Sequence, residues 1–163
     1  MATDWYPQAE KHETTKKYDG NQGRRAIVLH IAEGSYQAAI NWLQDAQANP
    51  NSSAHFVVAK DGRVAQLVSV NDGAWANGLK WNTDASQPSG GYWTNARGVQ
   101  VKPTWPDIVP GQNPNFYTIS IEHEGFYQET WTPEMYDANN QLLVWIADQF
   151  DLWYVPLRNL IGH

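Results

Sequence analysis

Cysteine is absent from the 163 residues, and several other features that would assign a function class are absent as well. Without cysteine, the chain has no disulfide bond, no thiolate nucleophile and no thiolate metal ligand. It contains neither a glycine-rich phosphate-binding loop nor a GxSxG sequence, so nucleotide use and a serine nucleophile lack support. The first residues show no basic segment followed by an apolar stretch. This predicts a protein without a signal peptide or a membrane span.

Basic residues are in the minority, because 11 Lys and Arg stand against 17 Asp and Glu and give a formal net charge of −6. Binding to nucleic-acid phosphates needs a basic face, so we expect no nucleic-acid partner. Aromatic residues, in contrast, are plentiful, with nine Trp and eight Tyr. Aromatic side chains fill cores but also stack on sugars and peptides, and the count alone leaves both uses open.

Apolar periodicity and turn signals predict a single α/β domain over residues 1–163, with a mixed central sheet flanked by helices. The predicted elements are a polar arm (1–23), a buried strand (25–31), a helix (36–48) capped by Ser35, a hairpin turning at Asp61 and Gly62, a turn or short helix (69–78), a strand (116–123) and a helix from Thr132 to about Phe150.

A long segment without periodicity, residues 79–114, separates the hairpin region from the last predicted strand. Segments of this length are usually either disordered or part of a binding site. Its residues Trp81, Trp93 and Trp105 are costly to leave in water, which favours an ordered segment. We therefore predict that the segment forms one wall of a substrate groove.

Polar side chains occur at the ends of both predicted central strands. The apolar run 26–29 ends in His30, which is either a hydrogen-bonded core residue or a placed functional group. In the strand 116–123, alternation puts Glu122 on the face opposite to that of His123. Glu122 therefore belongs either to a solvated face or to a site that needs a general base, and His123 to a core or an interface. None of the five histidines has local metal-ligand spacing to another.

Four motifs in order carry a family resemblance: IVLHIAEGS, SSAHFVVAKDGRVAQLVSVNDGAWANG, NFYTISIEHEG and a terminal IGH. They resemble the zinc-dependent N-acetylmuramoyl-L-alanine amidases, a family that includes phage endolysins and peptidoglycan recognition proteins. The resemblance covers residues 24–163 apart from the long segment. It implies the α/β fold of that family, a zinc cofactor, peptidoglycan as partner and a monomer.

The resemblance also implies roles for individual residues. His30 and His163 match the two histidine ligands of zinc, and Glu122 matches the catalytic base. Trp75 is expected to line the groove, with a core position as the alternative. His55 occupies a family position that is not a ligand, and we expect it to be structural or to line the substrate site.

The chain departs from the family pattern at three places. Ala54 stands where some members have a catalytic tyrosine, so the base role falls more heavily on Glu122. Ala76 stands where related enzymes have a histidine, so a substrate contact is either lost there or supplied by Asn77. The third zinc ligand of the family, Asp or Cys, and a Lys lie beyond the GH sequence that ends at His163. We therefore expect the domain to be truncated at its C-terminal end, with weak zinc binding and little activity in this form.

Hydrolysis of the bond between N-acetylmuramic acid and L-alanine is the function that the resemblance implies. Two alternatives stay open: a non-catalytic peptidoglycan-binding module of the same fold, and a metal-dependent peptidase acting on the stem peptide. Without a signal peptide, we expect an endolysin of a phage or prophage, made in the host cytoplasm, or secretion by a non-classical route.

Overall fold

The structure is a computed structural model that describes residues 3–152 and 158–162. Its elements in chain order are β1 (Glu10–Lys11), β2 (Lys17–Tyr18), β3 (Ala26–Ile31), α1 (Tyr36–Gln44), β4 (Phe56–Val58), β5 (Val64–Gln66), β6 (Gly73–Ala74), β7 (Lys80–Thr83), β8 (Gly91–Thr94), β9 (Gln100–Val101), a 3₁₀ turn (Pro114–Phe116), β10 (Thr118–His123), α2 (Pro133–Phe150) and β11 (Leu160–Gly162). No helix within the described ranges is both long enough and apolar enough for a membrane crossing.

Six strands form the central sheet in the order β1-β5-β4-β10-β3-β11. β10 runs parallel to β3 and β4, and β11 runs parallel to β3, while β4 and β5 form the predicted antiparallel hairpin. Gly62 takes a φ of 88° in the hairpin turn, a conformation that costs glycine little. The predicted α/β domain with a mixed sheet and flanking helices is confirmed.

The two helices cover different faces of this sheet. α2 packs its apolar side on one face, and the buried residues there include Ile27, Phe56, Ile119, Ile121, Met135, Leu142 and Ile146. α1 covers β4 and β5 on the opposite face, with Tyr36, Ile40 and Leu43 against Val57, Ala65 and Leu67. On this face of the sheet, α1 therefore does not cover β10 and β3.

The first helix begins as predicted and ends earlier than predicted. Ser35 caps its first turn, but the helix stops at Gln44 instead of continuing to residue 48. Asp45 leaves the helical conformation, and its carboxylate accepts two backbone N–H groups of the next turn at 2.8 and 2.9 Å. The buried ammonium group of Lys16 donates to the carbonyl oxygens of Asp45 and Asn49 at 3.1 and 2.7 Å. Side chains thus satisfy the helix end and make an early stop favourable.

The arm and the long segment contain more regular structure than their sequences indicate. In the arm, β1 adds to the edge of the central sheet beside β5, and β2 pairs with β6. In the segment 79–114, hereafter the insert, β7, β8 and β9 form an antiparallel sheet with Trp81 opposite Trp93. The two indole rings meet edge to face at 5.2 Å. The insert's place in a groove wall stays a prediction.

Candidate active site

A predicted zinc ligand and the predicted catalytic base lie side by side at the carboxyl ends of the two central parallel strands. His30 of β3 and Glu122 of β10 are register partners. Because residues at the same level of neighbouring strands point to the same face, their side chains share one face of the sheet. This is the face on which α1 covers β4 and β5. The carboxyl end of an open parallel sheet is also a usual position for a ligand site.

Glu122 lies in an environment that favours its protonated form. The side chain is partly buried, and burial raises the pKa of its carboxyl group to about 7. Within residues 3–152 and 158–162 no cation or hydrogen-bond donor pairs with this carboxylate. A group with a pKa near neutrality can both accept and donate a proton at physiological pH. The environment of Glu122 therefore suits a general base and acid.

This burial predicts a pH-dependent difference in stability between the metal-free protein and its Glu122→Gln variant. The folded-state pKa lies above the unfolded one, so the stability conferred by the protonated carboxyl group is full below pH ~4.5 and is lost as the pH rises through about 7. At pH 8 the variant should be the more stable protein by about 1–3 kcal/mol. Urea unfolding at pH 4.5 and 8 with chelator present measures this, and an unchanged difference between the two pH values would contradict it.

His123 points to the opposite face, as the strand alternation predicts, and belongs to the core beneath α2. Its Nδ1 lies 3.0 Å from the carbonyl oxygen of His30, and its Nε2 lies 3.0 Å from Oδ1 of Asn139. Its ring also stacks on Trp131, with ring centroids 4.1 Å apart. Burial lowers the pKa of this imidazole. Of the two residues at the end of β10, only Glu122 faces the candidate site.

His55 is an interior residue that fastens β4 to β10. It is 1% exposed, its Nδ1 accepts the Ser120 N–H at 3.0 Å, and its Nε2 lies 3.0 Å from the carbonyl oxygen of Asp72. Burial and the neighbouring Arg24 cation lower the pKa of the imidazole to about 3, so the ring is neutral. Both ring nitrogens are used within the protein. Of the two roles expected for His55, these contacts favour the structural one over substrate binding.

Asn77 lies beside the first residue of β10, and Trp75 precedes Asn77 by two residues in the chain. The Asn77 side chain is largely buried and donates to Asn115 Oδ1 at 2.9 Å and to Thr118 Oγ1 at 2.8 Å. Both of its amide hydrogens are engaged, so the substrate contact that stays predicted for Asn77 would have to use its oxygen. Trp75 is half-buried against Tyr18, and its indole Nε1 has no partner in the described part of the chain. Buried donors normally have partners, which keeps Trp75 as a candidate ligand contact.

Ser120 is a neighbour of the site that the sequence interpretation did not select. It is fully buried, and its hydroxyl group lacks a hydrogen-bond partner within residues 3–152 and 158–162. Ser120 precedes Glu122 by two residues, so the two side chains share a face of β10. The same alternation that separated Glu122 from His123 could have identified it.

A sequence model of the N-acetylmuramoyl-L-alanine amidase family, Amidase_2, matches residues 20–163. The chain belongs to this family. The matched region includes β3 and β10 and therefore both His30 and Glu122. The resemblance stated from the four motifs is thus confirmed.

Individual relatives of this amidase-family chain agree with that assignment. N-acetylmuramoyl-L-alanine amidase A of Achromobacter lyticus is 27% identical over 141 residues, which cover 85% of this chain and 57% of that protein. The chain thus spans little more than half the length of that curated relative. A selenomethionine AmpD derivative matches with a TM-score of 0.67 and 16% identity over 100% of this chain and 86% of that one.

A second solved structure, AmpDh3 of Pseudomonas aeruginosa in complex with an anhydromuramic pentapeptide, has a TM-score of 0.55 and 19% identity. The match covers 100% of this chain and 57% of that one. At these identities the two structures show that the fold is shared.

The second predicted zinc ligand, His163, lies outside the described residues. Gly162, which precedes it in the sequence, is the register partner of Leu29, which precedes His30. Residues 3–152 and 158–162 contain no group of three His, Asp or Glu side chains that could hold a metal ion. The donors described at the end of β3 and β10 are the imidazole of His30 and the carboxylate of Glu122. Both are donor types that zinc accepts.

Proposed function

We propose that this domain hydrolyses the amide bond between N-acetylmuramic acid and L-alanine in peptidoglycan. One observation carries the proposal: His30 and Glu122 are register partners on one face of the sheet in a chain of the amidase family. The relatives give further support, since AmpDh3 was solved with an anhydromuramic pentapeptide and the Achromobacter lyticus relative is an N-acetylmuramoyl-L-alanine amidase.

Zinc is the cofactor that we propose for this reaction, held by His30 and His163 together with a further ligand. Imidazole is a common zinc ligand, and a catalytic zinc needs three protein ligands. When bound, the ion supplies Lewis acidity, which polarises the scissile carbonyl group and lowers the pKa of a water molecule.

Glu122 moves the proton in the proposed reaction. Its carboxylate accepts a proton from the attacking water and then donates it to the amide nitrogen of L-alanine as the carbon–nitrogen bond breaks. The products are the free carboxyl group of the muramic acid and a peptide with an amino-terminal L-alanine. Because the pKa of Glu122 is raised to about 7, its carboxyl group can both take up and release a proton near neutral pH.

Digestion of purified peptidoglycan, followed by mass spectrometry and amino-terminal labelling, tests the proposal. With zinc in excess, because weak zinc binding is expected of this form, we expect slow release of new amino-terminal L-alanine, loss of this product after chelation, and its return when zinc is added. The His30→Ala variant should lose zinc and activity, whereas His12→Ala should lose neither, because His12 lies in the arm next to Glu10.

Three results would contradict the proposal. Unchanged activity in the His30→Ala variant would remove His30 as a ligand. Binding to peptidoglycan without product release would indicate a non-catalytic binding module. New amino termini on residues other than L-alanine would indicate a peptidase.

A further inference from the structure

The last described strand, β11, is held by its ladder with β3, by the Ile27 N–H that donates to the carbonyl oxygen of Asn159, and by Leu160, which packs against the core. It is three residues long and lies at the sheet edge, where its single neighbour is β3. Edge strands of this length are weakly held by their ladder alone. The strand nevertheless has a defined register, with Leu160 opposite Ile27 and Gly162 opposite Leu29.

Two residues of the insert contact the chain immediately before β11. The indole Nε1 of Trp105 donates to the carbonyl oxygen of Arg158 at 2.5 Å. The Arg158 guanidinium donates to both carboxylate oxygens of Asp107, with Nε and Nη2 at 3.0 and 3.2 Å. Arg158 is therefore held through its main chain and its side chain by residues that are close together in the insert.

The insert is itself anchored at this point to the residue that precedes β10. The Trp105 ring lies 5.7 Å from the ring of Tyr117, which is fully buried. The Val109 N–H donates to the Tyr117 hydroxyl oxygen at 3.2 Å. The contacts thus connect the entry of β11 to the entry of β10, the strand that carries Glu122.

We propose that Trp105 and Asp107 are positioning residues that fix where β11 enters the sheet, and thereby its register against β3, the strand that carries His30. This inference rests on the proposed zinc site. A slip of β11 by one residue would displace it by about 3.3 Å and turn its side chains to the other face. Because His163, which follows this strand in the sequence, is a proposed zinc ligand, we expect such a slip to weaken zinc binding.

Trp105 and Asp107 hold Arg158 through several contacts that act together. An exposed ion pair alone contributes little, because solvent screens it and long side chains lose freedom. Here a bidentate pair and a neutral hydrogen bond act on one residue, and the donor ring of Trp105 is already held by Tyr117. We therefore expect the single variants to have small effects and the double variant a clear one.

The test uses the full chain, metal-free and then titrated with zinc against a chromophoric chelator. Trp105→Phe keeps the ring and removes the donor, and Asp107→Asn keeps the shape and removes the charge. The double variant should bind zinc about five- to twentyfold more weakly. Hydrogen exchange in residues 158–162 should accelerate at the same time. Asp61→Asn, which breaks an exposed Asp61–Arg63 pair elsewhere, should change neither.

Charge exchange provides a further check, because Asp107→Arg combined with Arg158→Asp in a Trp105→Phe background should recover zinc affinity that the double variant loses. The inference is overturned if the double variant keeps wild-type zinc affinity, or if residues 158–162 exchange at the wild-type rate. A wild-type protein that binds no zinc would instead overturn the zinc site of the proposed function. Hydrogen exchange would still decide whether Trp105 and Asp107 hold β11.

Discussion

The Glu122→Gln variant is expected to release peptides with amino-terminal L-alanine at least about 10²-fold more slowly than the wild-type protein. Glutamine preserves the size of the side chain and cannot take up the proton of the attacking water. Glu122 lies opposite His30, and β3 has no carboxylate that could take over the role of Glu122. Initial rates on purified peptidoglycan, with zinc content measured in parallel, give the result.

Glu124→Gln is the matched control for this experiment. Glu124 follows two residues later, and its carboxylate accepts the backbone N–H of Lys60 at 2.8 Å, a role that the glutamine oxygen can fill. Both variants should retain the zinc content of the wild type. Wild-type turnover in Glu122→Gln, or an equal loss in both variants, would mean that Glu122 is not the proton-transferring group.

The largest loss of stability is expected from Arg24→Leu, which should lower the free energy of unfolding by about 3 kcal/mol or more. Arg24 is 7% exposed and donates to the carbonyl oxygens of Val70 and Thr118 at distances from 2.6 to 3.0 Å, and also to that of Asp72. Leucine fills part of the volume but leaves these buried acceptors unpaired. Burial lowers the pKa of the guanidinium only to about 10, so it is charged at neutral pH.

Urea unfolding at pH 7 measures this loss. Arg97→Leu is the control, because Arg97 is exposed in the insert, and it should change the free energy of unfolding by less than about 0.5 kcal/mol. Arg24→Lys should lie between the two, since an ammonium group cannot reproduce the planar fork of donors. A similar small change in Arg24→Leu and Arg97→Leu would show that the buried hydrogen bonds of Arg24 contribute little.

Local signals in the sequence were sufficient to predict the two helices, the hairpin and the central strands. Ser35 and Thr132 begin the two helices as predicted, and the turn at Gly62 joins the predicted hairpin. Alternation along β10 correctly placed Glu122 and His123 on opposite faces. Capping and periodicity act over a few residues, so their patterns are visible without knowledge of distant contacts.

Strands of two to four residues could not be predicted in the same way. β1 and β2 lie in an arm whose sequence shows no alternation, and each exists because a strand from another part of the chain pairs with it. In the insert, Gly91 allows β8 to approach β7 closely, because a Cβ there would lie 2.3 Å from the Asn82 carbonyl oxygen. Such pairings depend on which distant backbone lies alongside, and composition does not reveal this.

The sequence by itself determined which side chains could perform the chemistry: a histidine and a glutamate, each near the end of a buried strand, in motifs of an amidase family. The tertiary structure decided that His30 and Glu122 are register partners, and that His55 faces the interior instead of a substrate. The physical reason is that strand order and register are set by contacts across the whole sheet. Alternation along a single strand tells which residues share a face, but only the packed sheet decides which strands are neighbours and which face remains accessible.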